Sequence, residues 1–217
     1  MAIAFDAATL ISTGSSSTSV TGSVTVASSN PMLFVGVAIN GSGNISSVTY
    51  NGQNMTMILA EKQSGTGGVG QFYSLWYIYG QSGTHNVVVN NVGSAVVAAA
   101  AVSYTGVAQQ APEASAQKQA DNATSITQAV TTLTDNAWLV GIDSGHSAGP
   151  LTAGSNTHNT ITSTGQFALI DSNAAQTPTG SHSLTGTGSS QSMMITVCSI
   201  APYAAAPAVN GNFLAFM

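Results

Sequence analysis

Short apolar runs recur every ten to fifteen residues along this chain, bounded by Gly, Asn, Ser and Pro, and no stretch shows apolar residues at helical spacing with charges opposite. That pattern leaves almost no room for helix and predicts a string of strands. The runs are 19–26, 32–39, 46–58, 72–80, 85–90 and 95–106. After a polar stretch at 107–125 come 126–133, 137–143, 159–165, 167–172, 182–186 and 192–200.

The pieces come twice in the same order. "NPMLFVGV" (30–37) answers "DNAWLVGI" (135–142), aligning Gly36 with Gly141, and "SVTGSVTV" answers "SITQAVTTL". A turn of Gly, a hydroxyl residue and His follows in each, at His85 and His182, and then a long apolar strand. The expectation is an all-β fold, an antiparallel two-sheet β-sandwich, jelly-roll-like, with a degenerate internal duplication. Residues 1–203 form one domain, with half-repeats 1–107 and 124–203, a connector at 108–123 and a C-terminal arm at 204–217. Neither half alone is expected to bury both faces of its strands. The two histidines are then equivalent by repeat, not partners in chemistry.

Charged residues make up only 4% of the 217, and Lys62 and Lys118 are the only basic ones. Two lysines cannot neutralise a phosphate track or an anionic bilayer, so nucleic acid and membrane surfaces are excluded as electrostatic partners. The surface must be neutral and rich in hydroxyl and amide groups, which gives little colloidal repulsion and suits a packed assembly. "AVVAAAAV" (95–102) is far short of a membrane span. "MAIAFDAATL" shows no basic segment leading an apolar one, so no secretory signal is expected. Cys198 is alone and reads as a buried small hydrophobe.

Three motifs invite chemistry. "GHSAG" (Gly145–Gly149) matches G-x-S-x-G, with Ser147 as nucleophile, His182 as base and Asp171 to orient it. The helix that must follow such a serine is interrupted by Pro150. "GTGGVG" (Gly65–Gly70) matches a dinucleotide fingerprint, but a strand follows where a helix must open. Asp143, His146 and His158 lie close in sequence without the spacing of a metal clamp. No catalytic residue, cofactor or metal is therefore assigned. A glycan-binding module is the serious rival: Asn is plentiful, but the aromatics Trp76, Tyr77, Tyr79 and Trp138 fall within or at the start of strands, where core packing is their default role.

The run 45–107, "ISSVTYNGQNMTMI…SLWYIYGQSGTHNVVVNNVGSAVVAAAAVSYTGV", resembles a β-sandwich domain found in phage virion structural proteins and in some bacterial extracellular and adhesive proteins. A "VTYNG" strand, an "LWY" strand, a "GTH" turn and a "VSYTGV" strand recur there in this order. The resemblance carries no active-site residue across. It implies a non-enzymatic virion protein on the particle exterior, as capsid decoration or fibre component, made in the host cytoplasm, with copies of itself and other virion proteins as partners. The alternative is a carbohydrate- or receptor-binding module of a phage receptor-binding or bacterial surface protein, whose partner is a host surface glycan.

Residues 204–217, "AAAPAVNGNFLAFM", carry Phe213, Leu214, Phe216 and Met217 and no charged side chain. Pro207 and Gly211 forbid a useful helix. The segment is either a strap over its own sandwich or, the reading adopted here, an assembly arm onto a neighbouring subunit.

Overall fold

The computed structural model describes residues 1–40, 43–63, 71–145, 151–163 and 167–204, and their regular structure is strand. Seven strands come from the first half: β1 (Ala4–Val26), β2 (Met32–Asn40), β3 (Asn44–Tyr50), β4 (Gln53–Asn54), β5 (Thr56–Gln63), β6 (Gln71–Tyr79) and β7 (Gly83–Thr105). Six come from the second: β8 (Ala114–Thr132), β9 (Trp138–Gly145), β10 (Thr152–Ala153), β11 (His158–Ser163), β12 (Phe167–Asp171) and β13 (Gly180–Ile200). All pairings are antiparallel.

Each half makes its own sheet. The first runs β4-β3-β7-β2-β6-β5 with β1 on the other edge of β7. The second runs β10-β13-β9-β12-β11 with β8 on the other edge of β13. The strand order therefore repeats, β7 and β13 being the shared spines. Strands do not alternate between the sheets, so the jelly-roll wrap is replaced by two successive sheets. The ends of the sheets repeat too: β5 reaches β8 and β13, as β11 reaches β1 and β7.

The spines are long enough to bend. β7 pairs with β3 along 87–92 and with β2 along 96–104, the pairing with β1 being irregular between Ser17 and Ser19. Folded over in this way, the first sheet encloses its own core of Val24, Leu33, Val35, Val48, Tyr50, Val87 and Ala99 among others. The second encloses Ile126, Leu139, Ile170, Leu184, Ile195 and Val197. A third core joins the halves and takes the opposite faces of the same strands: Phe34, Leu75 and Val102 from one, Trp138, Ile142, Leu169 and Met194 from the other. Each half thus encloses a core of its own, because the bend lets one sheet supply both walls, while the opposite faces of its strands are buried only against the other half.

Double burial explains the uninterrupted runs. In "MLFVGVAI", Leu33, Val35, Val37 and Ile39 point to the core of their own half, and Met32, Phe34 and Ala38 to the core between halves. A strand wetted on one side would alternate.

Two elements were not visible as apolar runs. β1 begins at Ala4, and residues 114–123, expected as part of a connector, are the first limb of β8. Both limbs are hydroxyl-, Ala- and Gln-rich edges whose order comes from pairing with β7 and β13.

The repeat holds at the histidines and slips at the glycines. His85 and His182 are each the third residue of a spine that begins with Gly, each opposite a valine, Val24 or Val130. Gly36 faces the core between halves, where an added Cβ would sit 2.7 Å from Leu169 Cδ2 and 3.1 Å from Ile142 Cδ1. Gly141 faces its own half, toward Val197 and Ile170. An odd shift of register puts matching residues on opposite faces, so the sequence match of these two strands is not their structural match.

The left-handed glycines Gly52 (φ 71°) and Gly106 (φ 69°) separate two effects. Gly52 follows Asn51 (φ 52°) in the tight β3–β4 turn, and a Cβ there meets open space. A Cβ on Gly106 would overlap the Ala2 carbonyl oxygen. Gly52→Ala should cost only the left-handed strain, about 1–2 kcal/mol. Gly106→Ala should cost roughly 1–3 kcal/mol more, since backbone must move. Urea denaturation of the two variants checks this, and equal losses would refute the close approach.

Candidate functional site

The residues suspected of chemistry are dispersed or occupied. Gly145 ends β9, while His146, Ser147 and Gly149 lie outside the described residues, as does all of Gly65–Gly70. His182 sits on the first limb of β13, its Nε2 2.8 Å from the Pro178 carbonyl, and His85 makes the same kind of bond, 3.1 Å to the Ser82 carbonyl. The ring of His85 also packs edge-on to Tyr50, at 5.5 Å between centroids. Tyr50 in turn lies 2.6 Å from the Gly83 carbonyl it donates to. Both histidines are therefore turn braces.

Asp171 is not available to His182. It is fully buried, and its Oδ2 accepts from the Tyr104 hydroxyl at 2.8 Å. Its Oδ1 accepts from the Asn173 amide at 2.9 Å and lies 3.2 Å from His158 Nδ1. Burial raises the Asp171 pKa; the Tyr104 and His158 contacts oppose that rise. Tyr104 belongs to the first half and Asp171 to the second, so this bond ties the halves across a core where Tyr104 also meets Phe34 and Trp138 edge-on, at 6.0 and 5.9 Å. Removing the hydroxyl by Tyr104→Phe strands one lobe of a buried carboxylate. A loss of about 1–3 kcal/mol is expected at unchanged circular dichroism. A stability within 0.5 kcal/mol of the parent, by the ordinary scatter of neutral changes, would show that the tie contributes nothing.

The acids serve the fold more generally. Asp6 Oδ2 accepts from the Ala27 amide at 2.9 Å and the Ser103 hydroxyl at 2.7 Å, Asp121 from Ser192 at 2.7 Å, and Glu113 from the Leu133 and Thr134 amides at 3.2 and 3.3 Å. Among the described residues, no three His, Cys, Asp or Glu side chains gather as a metal cluster.

Asp143 is the exception. It is fully buried on β9, and neither carboxylate oxygen has a hydrogen-bond partner among the described residues. It faces the core of the second half, pressed against Gly186 on the opposite limb of β13, where any Cβ would overlap its carboxylate. Burial pushes its pKa up to about 8, the nearby Ser144 amide pulling weakly the other way. The folded chain therefore holds this proton at pH values where the unfolded chain, with a carboxyl of ordinary pKa near 3.8, has released it. Stability from this group is full below about pH 4 and is lost as pH rises toward 8, by up to about 1.4 kcal/mol per unit. Urea midpoints at pH 5 and pH 8 should differ for the parent and converge for Asp143→Asn. An identical pH dependence in both would remove Asp143 from the account.

What the fold displays outward is two uncharged sheet faces. On β1, Ser19, Thr21, Ser23 and Thr25 alternate with buried Val20, Val24 and Val26. Opposite them on β7 stand Asn90, Val88, Asn86 and Thr84, and Ser47 and Thr49 of β3 continue the first two rows. Hydroxyls bridge the strands, Thr25 to Thr84 at 2.8 Å, and Asn90 Nδ2 donates to Ser47 at 3.1 Å. The second half repeats the arrangement: Ser125, Thr127, Ala129 and Thr131 of β8 oppose Thr187, Thr185, Ser183 and Ser181 of β13. There the bridges are Thr127 to Thr185 at 2.9 Å and Thr152 to Thr187 at 2.6 Å. The faces were legible only as "neutral and hydroxyl-rich"; the alternation in "SVTGSVTV" was the signal for which residues line them.

The aromatics mostly pack. Trp76 and Trp138 are 8% exposed and Tyr77 9%, while Tyr79 is 42% exposed and stacks on Tyr77 at 6.4 Å. Burial drives the Cys198 thiol well above its ordinary pKa, in keeping with a packing role. The arm residues Phe213, Leu214, Phe216 and Met217 lie outside the described residues. No family model, curated protein or solved structure matches this chain.

Proposed function

We propose that this chain is a non-enzymatic structural protein of a phage particle, placed on its exterior as capsid decoration or fibre component. The observation that carries the reading is the pair of uncharged, hydroxyl-rich faces, presented by equivalent strands of the two halves. Such faces meet like or neutral surfaces without desolvating charge. A molecule with two of them can touch neighbours on two sides. The residues of the phage-like run support the same reading, because they are frame parts: Tyr50 bonds across a turn, His85 braces it, and Tyr104 ties the halves. Its partners are copies of itself and other virion proteins, engaged in part through Phe213, Leu214, Phe216 and Met217.

A second reading, a glycan-binding module of a receptor-binding or surface protein, has one observation in its favour. Tyr79, exposed and stacked on Tyr77, offers a face on which a sugar ring can lie.

Mass spectrometry of purified virions from the phage that encodes the chain should detect it, and labelled protein should bind those particles at a fixed stoichiometry. Its absence from particles, together with glycan binding abolished by Tyr79→Ala, would transfer the case to the second reading. Ester hydrolysis that disappears in Ser147→Ala would sink both.

A further inference from the structure

The two ends of the described chain meet at one end of the molecule. Pro202 bridges to Val107, the Tyr203 amide donates to the Gly106 carbonyl at 2.7 Å, and the Met1 ammonium donates to the Tyr203 carbonyl at 2.7 Å. These contacts hold open a groove of about 480 Å³ at the junction of the halves, lined by Met1, Ile3, Trp138, Pro202 and Tyr203. No charged side chain lines it. Its floor is firm, since Ile3 and Trp138 belong to the core between the halves.

Ala204, exposed on the rim of this groove, is the last described residue. The sequence that follows, "AAPAVNGNFLAFM", has four large apolar side chains and no charged one. Groove and segment are matched in their apolar side chains, and the Met1 ammonium at the groove is already bonded to the Tyr203 carbonyl. Phe213 lies nine positions beyond Ala204, a reach of about 30 Å when extended. That is enough to cross from one copy to the groove of another abutting the same end.

We infer that the groove lined by Met1, Ile3, Trp138, Pro202 and Tyr203 receives the apolar C-terminal residues 205–217 of a second copy of this chain. The inference rests on the proposed role in an assembly of like subunits, where neighbouring copies are held at high local concentration. Because each copy carries both the groove and the segment, and the segment leaves at the rim of the groove, two copies meeting at this end exchange segments reciprocally. That is the self-complementary geometry of a two-fold contact.

Cysteine cross-linking tests it. Ala175 is exposed and lines the groove, and the native Cys198 is buried and does not compete. Copies carrying Ala175→Cys, mixed with copies carrying Phe213→Cys, should form a disulfide-linked pair under mild oxidation. The double variant should link between chains. A double variant that links only within its own chain, or no linkage in either experiment, overturns the inference. As a second measurement without cysteines, a chain ending at Ala204 should keep its circular dichroism and self-associate at least tenfold more weakly by sedimentation; unchanged self-association also overturns it. If that shortened chain still binds particles and no cross-link forms, the groove inference fails while the proposed function stands. Cross-linking in solution by a chain never found on particles gives the converse.

Discussion

Burial of the same strands on both faces is the constraint on which this structure depends. β2, β9, β12 and the second limbs of β7 and β13 each give one row of side chains to the core of their own half and the other to the core between halves. A polar residue in that position costs free energy unless it finds a partner. That is why Ser103 of the spine is bonded to Asp6 and Tyr104 to Asp171, and why solvent meets chiefly the first limbs and edges.

The same constraint assigns the few acids their work. Asp6, Glu113, Asp121 and Asp171 accept bonds that hold turns, edges or the two halves together. Asp143 has no such bond among the described residues, and burial raises its pKa instead. With the acids turned to the frame, the outward faces are left to Ser, Thr and Asn. Their neutrality follows from composition, and it leaves no field to steer charged partners.

Much of the architecture was legible. The continuous runs at 32–39 and 192–200 and the turn-bounded strands between them required an all-β chain, and the recurrence of His85 and His182 marked a repeat that the paired sheets bear out. The polar limbs at 4–18 and 114–123 escaped notice because an edge strand held by its neighbour's backbone needs no apolar run of its own. The glycine match misled because "LFVGV" and "WLVGI" are both buried on two sides, so their composition does not reveal which face is which. The triad reading failed for a related reason: order along the chain puts Asp171 before His182, whereas pairing sets Asp171 against Val140 and His182 against Val130.

The sequence by itself determined strand, turn and a neutral surface, because these follow from local pattern and composition: side-chain period, left-handed Asn and Gly, and the scarcity of charge. Only the tertiary structure decided that each half closes on its own core, that Tyr104 reaches Asp171 across 67 positions of sequence, and that Asp143 lies buried against Gly186. Those outcomes depend on where a spine bends and on the parity of its register. A single residue reverses that parity and leaves the sequence pattern of a doubly buried strand unchanged.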